Sequence, residues 1–201
     1  MKSFKNVRNF LILLSVILLI PASSFALVDA SVYGGYAFGG KLEGGGGGSA
    51  DVSGYHYGAR AHANLGIPMV VSFGAGMFYQ IAPMKYEVNG KKDDLKQETM
   101  GIDVYAQLKL PVIPINPFVR YGIAINDKVE VTYADAAGSR TNTLKQNFKS
   151  SYYGIGIAYS LLDAVVLDVQ LIGEYLYTKT KQEDGITLKA NAFNLGVQVV
   201  L

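Results

Sequence analysis

Cysteine and tryptophan are absent from this chain of 201 residues, and charged residues make up only 17% of it. Without cysteine the chain has no disulfide bond, no thiol nucleophile and no cysteine-ligated zinc site. A lipoprotein anchor is excluded for the same reason, because there is no thiol to acylate. The aromatic content of 11% argues against a disordered chain. The composition therefore favours a folded protein with an unusual amount of apolar surface.

Apolar runs long enough to cross a bilayer as a helix are also missing. The longest, Phe10 to Ile20, has eleven residues and is apolar except for Ser15, whereas a spanning helix needs about 20. This run precedes Pro21 and the small residues that end at Ala26. The basic residues in front of it are Lys2, Lys5 and Arg8. This order predicts that residues 1–26 are a secretory signal peptide, cleaved after Ala26.

Removal of the signal peptide changes the charge balance. The full chain has 18 basic and 16 acidic residues, and loss of the three basic residues of the leader leaves 15 against 16. The mature chain is thus nearly neutral and contains no basic block. Nucleic acid is therefore not a predicted partner.

Glycine and tyrosine are abundant, at 23 and 14 residues, and the mature chain alternates between apolar residues and small or polar ones. Residues 55–65 show the pattern best, with only tyrosine, alanine and leucine at the odd positions. A period of two residues predicts β-strands. The eight alternating segments are residues 32–39, 54–65, 71–80, 100–110, 118–125, 152–161, 167–177 and 193–201.

The connections between these segments alternate in length. The short connections are residues 66–69, 111–117 and 162–166, and the long ones are residues 40–53, 81–99, 126–151 and 178–192. Short turns at one end and long loops at the other are typical of a transmembrane barrel. A secreted soluble sandwich also alternates, with its apolar face turned inward.

The two faces of the predicted strands favour the membrane alternative. The apolar face carries no charged residue, as expected if it contacts lipid, where a charge costs about 2–4 kcal/mol. The opposite face is rich in glycine and has three basic and three acidic residues, which are tolerable in an interior if they are paired. These six residues form the predicted interior charge network: Arg60, Asp103, Lys109, Arg120, Asp168 and Glu174.

The sequence thus predicts an all-β fold, an eight-stranded antiparallel up-and-down transmembrane β-barrel over residues 27–201. It resembles the small outer-membrane barrels of the OmpA, OmpX and opacity-protein kind. Asn194, Gly196, Val199 and Leu201 stand at the places of the carboxyl-terminal assembly signal of such barrels. Leu201 departs from the pattern, because the family usually ends in an aromatic residue. The resemblance implies an outer-membrane location in a diderm bacterium, contact with outer-membrane lipid, and delivery by periplasmic chaperones and the barrel-assembly machinery.

Motifs that could carry chemistry are weak. Gly44 to Gly48 lacks the lysine of a phosphate-binding loop, so it is interpreted as a flexible external loop. His56 and His62 fall on the inner face, and polar filling of the barrel is favoured over a metal site. Ser53 and His56 could pair in catalysis, but no family motif supports this. No catalytic residue, metal or cofactor is predicted.

The long connections contain two turn signals and one further alternating stretch. Asn89-Gly90 and Asp184-Gly185 are favoured hairpin turns, and residues 127–133 continue the alternation beyond the predicted membrane. Some strands are therefore expected to extend as hairpins outside the lipid. The open edge of such a hairpin could bind a partner, or the hairpins could simply be solvated.

These features predict a monomeric structural or surface-interaction protein that is not an enzyme. Its long extracellular loops would mediate adhesion or bind a host or surface ligand. The alternatives are a small channel or carrier for small polar or hydrophobic solutes and, with less support, a lipid A-modifying enzyme.

Overall fold

The computed structural model describes residues 28–44, 48–67, 71–88, 91–110, 113–135, 138–144, 149–164, 167–182 and 185–201. The predicted signal peptide, the Asn89-Gly90 turn, Asp184 and the middle of the glycine run lie outside these residues. Nine strands are present: β1 (Val28–Glu43), β2 (Ser49–Ile67), β3 (Val71–Val88), β4 (Lys91–Leu108), β5 (Ile115–Asp135), β6 (Gly138–Leu144), β7 (Lys149–Ala164), β8 (Leu167–Lys181) and β9 (Thr187–Val200). Within the described ranges, no helix is both long and apolar enough to cross a membrane.

Eight of the strands close into a barrel. Strands β1 to β5 pair antiparallel in chain order. Strand β5 then pairs with β7, β7 with β8, β8 with β9, and β9 with β1, which closes the barrel. This confirms the predicted eight-stranded antiparallel up-and-down barrel. The ninth strand, β6, is a short addition that pairs with the far part of β5.

The strands are much longer than the sequence pattern indicates, so the predicted bounds of the long connections are wrong. Strand β1 continues to Glu43, β3 to Val88, and β4 begins at Lys91. The strands have 7 to 21 residues, whereas about 9–11 suffice to cross a bilayer. Most of residues 40–53, 81–99 and 126–151 therefore form barrel wall or the β5–β6 hairpin.

The reason for this difference is that the chemistry of the two faces inverts along each strand. Leu95 faces inward with 2% of its surface exposed, while its neighbour Lys96 forms an outward ion pair with Glu98. Val129 is likewise buried beside Lys128, which pairs with Glu130. The period of two persists, but the apolar side chains change from the outer to the inner face.

Apolar side chains cover the middle of the barrel's outer surface. Val32, Ile155 and Leu195 are each 63% exposed, although apolar patches of this extent are rare on soluble monomers. Tyrosine pairs lie in the part of this apolar band that is farther from the short connections. Their ring centroids are 5.1 Å apart for Tyr36 with Tyr55 and 4.9 Å apart for Tyr153 with Tyr121, beyond which Ile123 and Ile125 continue the band on β5. Such a band with aromatic edges is typical of a barrel that faces lipid.

We expect Ile157→Lys to destabilise the folded barrel by about 2–4 kcal/mol, because this exposed side chain lies near the middle of the apolar band on β7. The free energy of unfolding in phospholipid vesicles measures the effect. Asn126→Lys, at an exposed position beyond the band on β5, serves as the control. Equal losses for the two variants would contradict contact between the band and lipid.

Candidate functional site

A cluster of four charged side chains crosses the middle of the barrel interior. In this central charge cluster, Arg60 contacts Asp103 at 3.7 Å and Glu174 at 3.0 Å, and Arg120 contacts the same two carboxylates at 3.5 Å and 3.3 Å. All four side chains are only 0–1% exposed. Each guanidinium thus bridges both carboxylates, and the four groups close the barrel to solvent at this level.

The strand alternation places these residues. Arg60 lies on β2, Asp103 on β4, Arg120 on β5 and Glu174 on β8, and each occupies an inward position between outward apolar neighbours. Arg60 and Glu174 therefore meet across the lumen rather than between adjacent strands. Because an unpaired buried charge is strongly destabilising, the four groups favour one arrangement of the wall.

His62 and Asp29 extend the central charge cluster. Nδ1 of His62 lies 2.8 Å from Asp29, and Nε2 lies 2.8 Å from Asp103. Each ring nitrogen of His62 thus has a carboxylate within hydrogen-bond distance, and His62 links Asp29 to the central charge cluster. Tyr105 and Tyr152 donate further hydrogen bonds, to Asp29 and Asp103 respectively.

Two members of the predicted network do not join this cluster. Asp168 accepts a hydrogen bond from Gln170 near the beginning of β8, and Lys109 follows the end of β4 and forms no ion pair with a described residue. Both lie at the end of the barrel with short connections, away from the level of Arg60. The sequence prediction misses Asp29, because its first alternating segment begins at Val32. The same alternation, continued three residues towards the amino terminus, places Asp29 on the inner face.

Aromatic rings and glycines fill the remaining interior. Arg60 stacks over Tyr33, with its Cζ 4.0 Å from the ring centroid. A Cβ at Gly58, beside this ring, would lie 2.5 Å from the Tyr33 hydroxyl, so only glycine fits there. Five rings cover a glycine of an adjacent strand in this way: Tyr33 with Gly58, Phe78 with Gly101, Tyr105 with Gly74, Phe118 with Gly156 and Tyr152 with Gly122.

A second polar group, the Asp127 cluster, lies inside the barrel beyond the apolar band. Asp127 accepts hydrogen bonds from Gln97 at 2.9 and 3.0 Å, from Thr99 at 3.0 Å, and from Ser150. Ser150 and Thr180 are 2.6 Å apart. Asp127 forms no ion pair with a described residue. Burial raises the pKa of its carboxyl above the ordinary value, although these hydrogen bonds act in the opposite direction.

This shift predicts a pH dependence of stability. A carboxyl with a raised folded-state pKa stabilises the protein below its unfolded pKa, and this stability is lost as pH rises through the folded pKa. Asp127→Asn is therefore expected to unfold at higher urea concentration than the wild type at neutral pH, with the difference vanishing in acid. Glu98→Gln is the control, since hydrogen bonding from Lys96 lowers the pKa of Glu98 and gives a dependence of opposite sign.

An apolar core fills the outer end of the barrel. It consists of Val52, Ala82, Met84, Leu95, Val129 and Leu188. These side chains come from β2, β3, β4, β5 and β9 and are 2–7% exposed. The part of the barrel outside the apolar band is thus a packed structure with a hydrophobic core of its own.

The remaining candidate residues have packing roles. His56 is buried and bonded to Asn194, which donates to Glu174 at 3.2 Å. Ser53 occupies an outward position of the same strand, so it does not face His56. A Cβ at Gly196 would lie 2.6 Å from the carbonyl oxygen of Val32. No group of three His, Asp or Glu among the described residues is arranged to hold a metal ion.

Val199 and Leu201, the other two residues of the predicted assembly signal, lie at the carboxyl end of the chain. Val199 is partly exposed near the end of β9, and Leu201 is 64% exposed just after it. The backbone N–H of Leu201 donates to the carbonyl of Val28 at 2.9 Å. The chain therefore ends against the first residue of β1, where the barrel closes.

The geometry corresponds to a known family. The family model of the outer membrane protein beta-barrel domain matches residues 12–200. The chain belongs to this family. It is therefore an outer-membrane β-barrel protein, in agreement with the predicted Gram-negative location. Comparison with curated protein sequences gives no match.

Solved structures share the fold of this outer-membrane barrel. Neisserial surface protein A is 14% identical with a TM-score of 0.56, over 87% of this chain and 97% of that chain. The attachment invasion locus protein Ail of Yersinia pestis, solved with the heparin analogue sucrose octasulfate, is 12% identical with a TM-score of 0.50, over 85% and 98%. The Escherichia coli outer membrane protease OmpT is 8% identical with a TM-score of 0.50, over 86% and 95%.

Proposed function

We propose that this outer-membrane barrel is a structural and surface-interaction protein that is neither a pore nor an enzyme. The observation that supports this is the construction of the middle of the barrel and of its outer end. The middle is closed by the central charge cluster, whose side chains are 0–1% exposed. The outer end is a strand wall packed around an apolar core. Such a barrel can present a fixed surface to a partner but offers no path for a solute at the level of Arg60.

The β5–β6 hairpin is the proposed contact element. Strand β6 pairs with β5 from Val129–Leu144 to Asp135–Gly138, and its other edge has no strand partner among the described residues. An extended segment of a partner could add to this edge through main-chain hydrogen bonds. The attachment invasion locus protein Ail shares the fold, and its name supports a role in adhesion for this chain as well.

Trimming the hairpin tests the interaction role. Val131 and Asn142 are register partners, so replacing residues 132–141 with Asn-Gly should shorten the hairpin and leave the barrel closed. Bacteria that display this variant should adhere to cultured epithelial cells no better than bacteria without the protein. Gel mobility before and after boiling checks that the variant is folded. Adhesion equal to that of the wild type would remove the hairpin as the contact element.

Conductance distinguishes the channel alternative. The wild-type protein in a planar lipid bilayer should give no current above background, because the central charge cluster closes the lumen. Reproducible single-channel openings would favour the channel. As further partners we propose outer-membrane lipid, periplasmic chaperones and the barrel-assembly machinery, with the barrel itself a monomer.

A further inference from the structure

Three lysines cluster on the outer surface where β7 and β8 leave the apolar band. Lys149 lies directly opposite Lys181 in the strand register, and Ser151 lies opposite Lys179. All of these positions face outward. Like charges placed directly opposite each other destabilise a sheet. The arrangement therefore destabilises the sheet, and the barrel fold itself does not require lysines at these positions.

Four other lysines of the strands have acidic partners. Lys92 pairs with Glu87 at 3.6 Å and Lys96 with Glu98 at 2.6 Å. Lys128 pairs with Glu130, and Lys189 pairs with Glu43 at 2.9 Å. Among the described residues, Lys149, Lys179 and Lys181 have no carboxylate within ion-pair distance. Within the described part of the chain, no carboxylate thus compensates the charge of these three lysines.

The three lysines line a cavity of about 630 Å³, which we call the β7–β8 pocket. Tyr153, Tyr177 and Ile123 belong to the same lining, and the two tyrosines are register partners at the edge of the apolar band. The hydroxyl group of Ser151 lies between the lysines and the tyrosines along the strand. The pocket therefore has a basic part formed by the lysines, the outward hydroxyl of Ser151 next to it, and a more apolar part that continues into the lipid-facing surface.

The position of the pocket indicates the kind of ligand. Lys179 is two residues beyond Tyr177 on β8, and Lys181 is two residues beyond Lys179. Two residues of a strand span about 7 Å. An occupant at this height is anionic where it meets the lysines and apolar where it meets Tyr153 and Ile123. A lipid with a phosphorylated headgroup has this combination, whereas a soluble anion has only the first part.

We propose that the β7–β8 pocket binds the phosphorylated sugar headgroup of an outer-leaflet glycolipid of the lipid A type. The ammonium groups of Lys149, Lys179 and Lys181 would hold the phosphate, for which lysine is a common partner. The Ser151 hydroxyl donates to a phosphate oxygen, the tyrosine rings contact the sugar, and the acyl chains lie along the apolar band. The site is independent of the β5–β6 hairpin edge and of the proposed adhesion.

Binding of lipid A to the folded, full-length mature protein in detergent tests this site, with native mass spectrometry as the readout. The variant Lys149→Gln/Lys179→Gln/Lys181→Gln is expected to weaken binding by about tenfold or more, since each lysine near an anionic lipid surface contributes to affinity. The matched control, Lys92→Gln/Lys96→Gln/Lys128→Gln, removes the same charge from paired lysines and should retain wild-type affinity. Dephosphorylated lipid A should have a low affinity for the wild-type protein, similar to the affinity of phosphorylated lipid A for the pocket variant.

Stability provides a second readout of the same variants. Removing three mutually repelling lysines should leave the pocket variant at least as stable to urea as the wild type, so loss of binding cannot be ascribed to unfolding. Equal binding of lipid A by the pocket variant and the control would overturn the proposal. So would equal binding of phosphorylated and dephosphorylated lipid A. Binding of inorganic phosphate or sucrose octasulfate without binding of lipid A would show a soluble-anion site instead.

Discussion

Glu174→Gln is expected to lower the free energy of unfolding by about 3–5 kcal/mol, the cost of removing one partner from a buried ion pair. Glu174 is one of the two carboxylates that both Arg60 and Arg120 contact, and its distances to them, 3.0 Å and 3.3 Å, are the shorter ones. Its loss leaves two guanidinium groups in the lumen with Asp103 as their remaining carboxylate in the central charge cluster. The urea concentration that unfolds the barrel in phospholipid vesicles measures the effect.

A double variant separates charge from packing. Glu174→Gln combined with Arg120→Met removes one charge of each sign, and it should recover part of the stability lost in Glu174→Gln alone, because a buried pair replaced by apolar groups is often tolerated. Additive losses from Glu174→Gln and Arg120→Met would show that the two side chains act independently. That result would contradict the role of the central charge cluster as one coupled unit.

Gly74→Val is expected to destabilise the barrel by about 3 kcal/mol, at the upper end of the usual cost of overpacking. A Cβ at Gly74 would lie 2.1 Å from Cε1 of Tyr105 and 2.7 Å from Oδ1 of Asn64. The Tyr105 ring has no free direction to move, since its hydroxyl is held by Asp29 at 2.6 Å. The folded fraction, measured as the band whose gel mobility changes on boiling, should therefore fall sharply.

Gly173→Val is the matched control for this substitution. A Cβ at Gly173 would meet nothing closer than Ile157 at 3.9 Å, because this residue lies within the apolar band on the outer surface of the barrel. The added side chain should therefore leave the folded fraction unchanged. If Gly74→Val and Gly173→Val behave alike, the close packing of rings over glycines does not limit folding of this barrel.

The alternation of residue types is sufficient to predict the eight strands of the barrel and the inner or outer face of the residues within the alternating segments. Arg60, Asp103, Arg120 and Glu174 were all placed in the interior on this basis, because a period of two leaves no ambiguity once the apolar face is assigned. Which of the interior charges meet was not predictable. Contact between Arg60 and Glu174, 114 positions apart, depends on the register and tilt of strands that are not neighbours.

The outer ends of the strands were beyond prediction for a different reason. The sequence prediction requires apolar residues on the outer face along the whole strand. Its strands therefore have their last outward apolar residue at Tyr79 on β3 and their first at Met100 on β4. Beyond these residues water replaces lipid outside, and the side chains that need shielding, such as Met84 and Leu95, turn inward. A criterion that accepts either face as the apolar one follows β3 to Val88 and β4 back to Lys91.

The continuous wall also sets how far the protein reaches from the cell. Strand β4 runs ten residues from Met100 to Lys91, about 33 Å along the strand and roughly 25 Å in height at the usual tilt of barrel strands. A partner that binds at the rim, as proposed above, would therefore stay clear of the hydrocarbon.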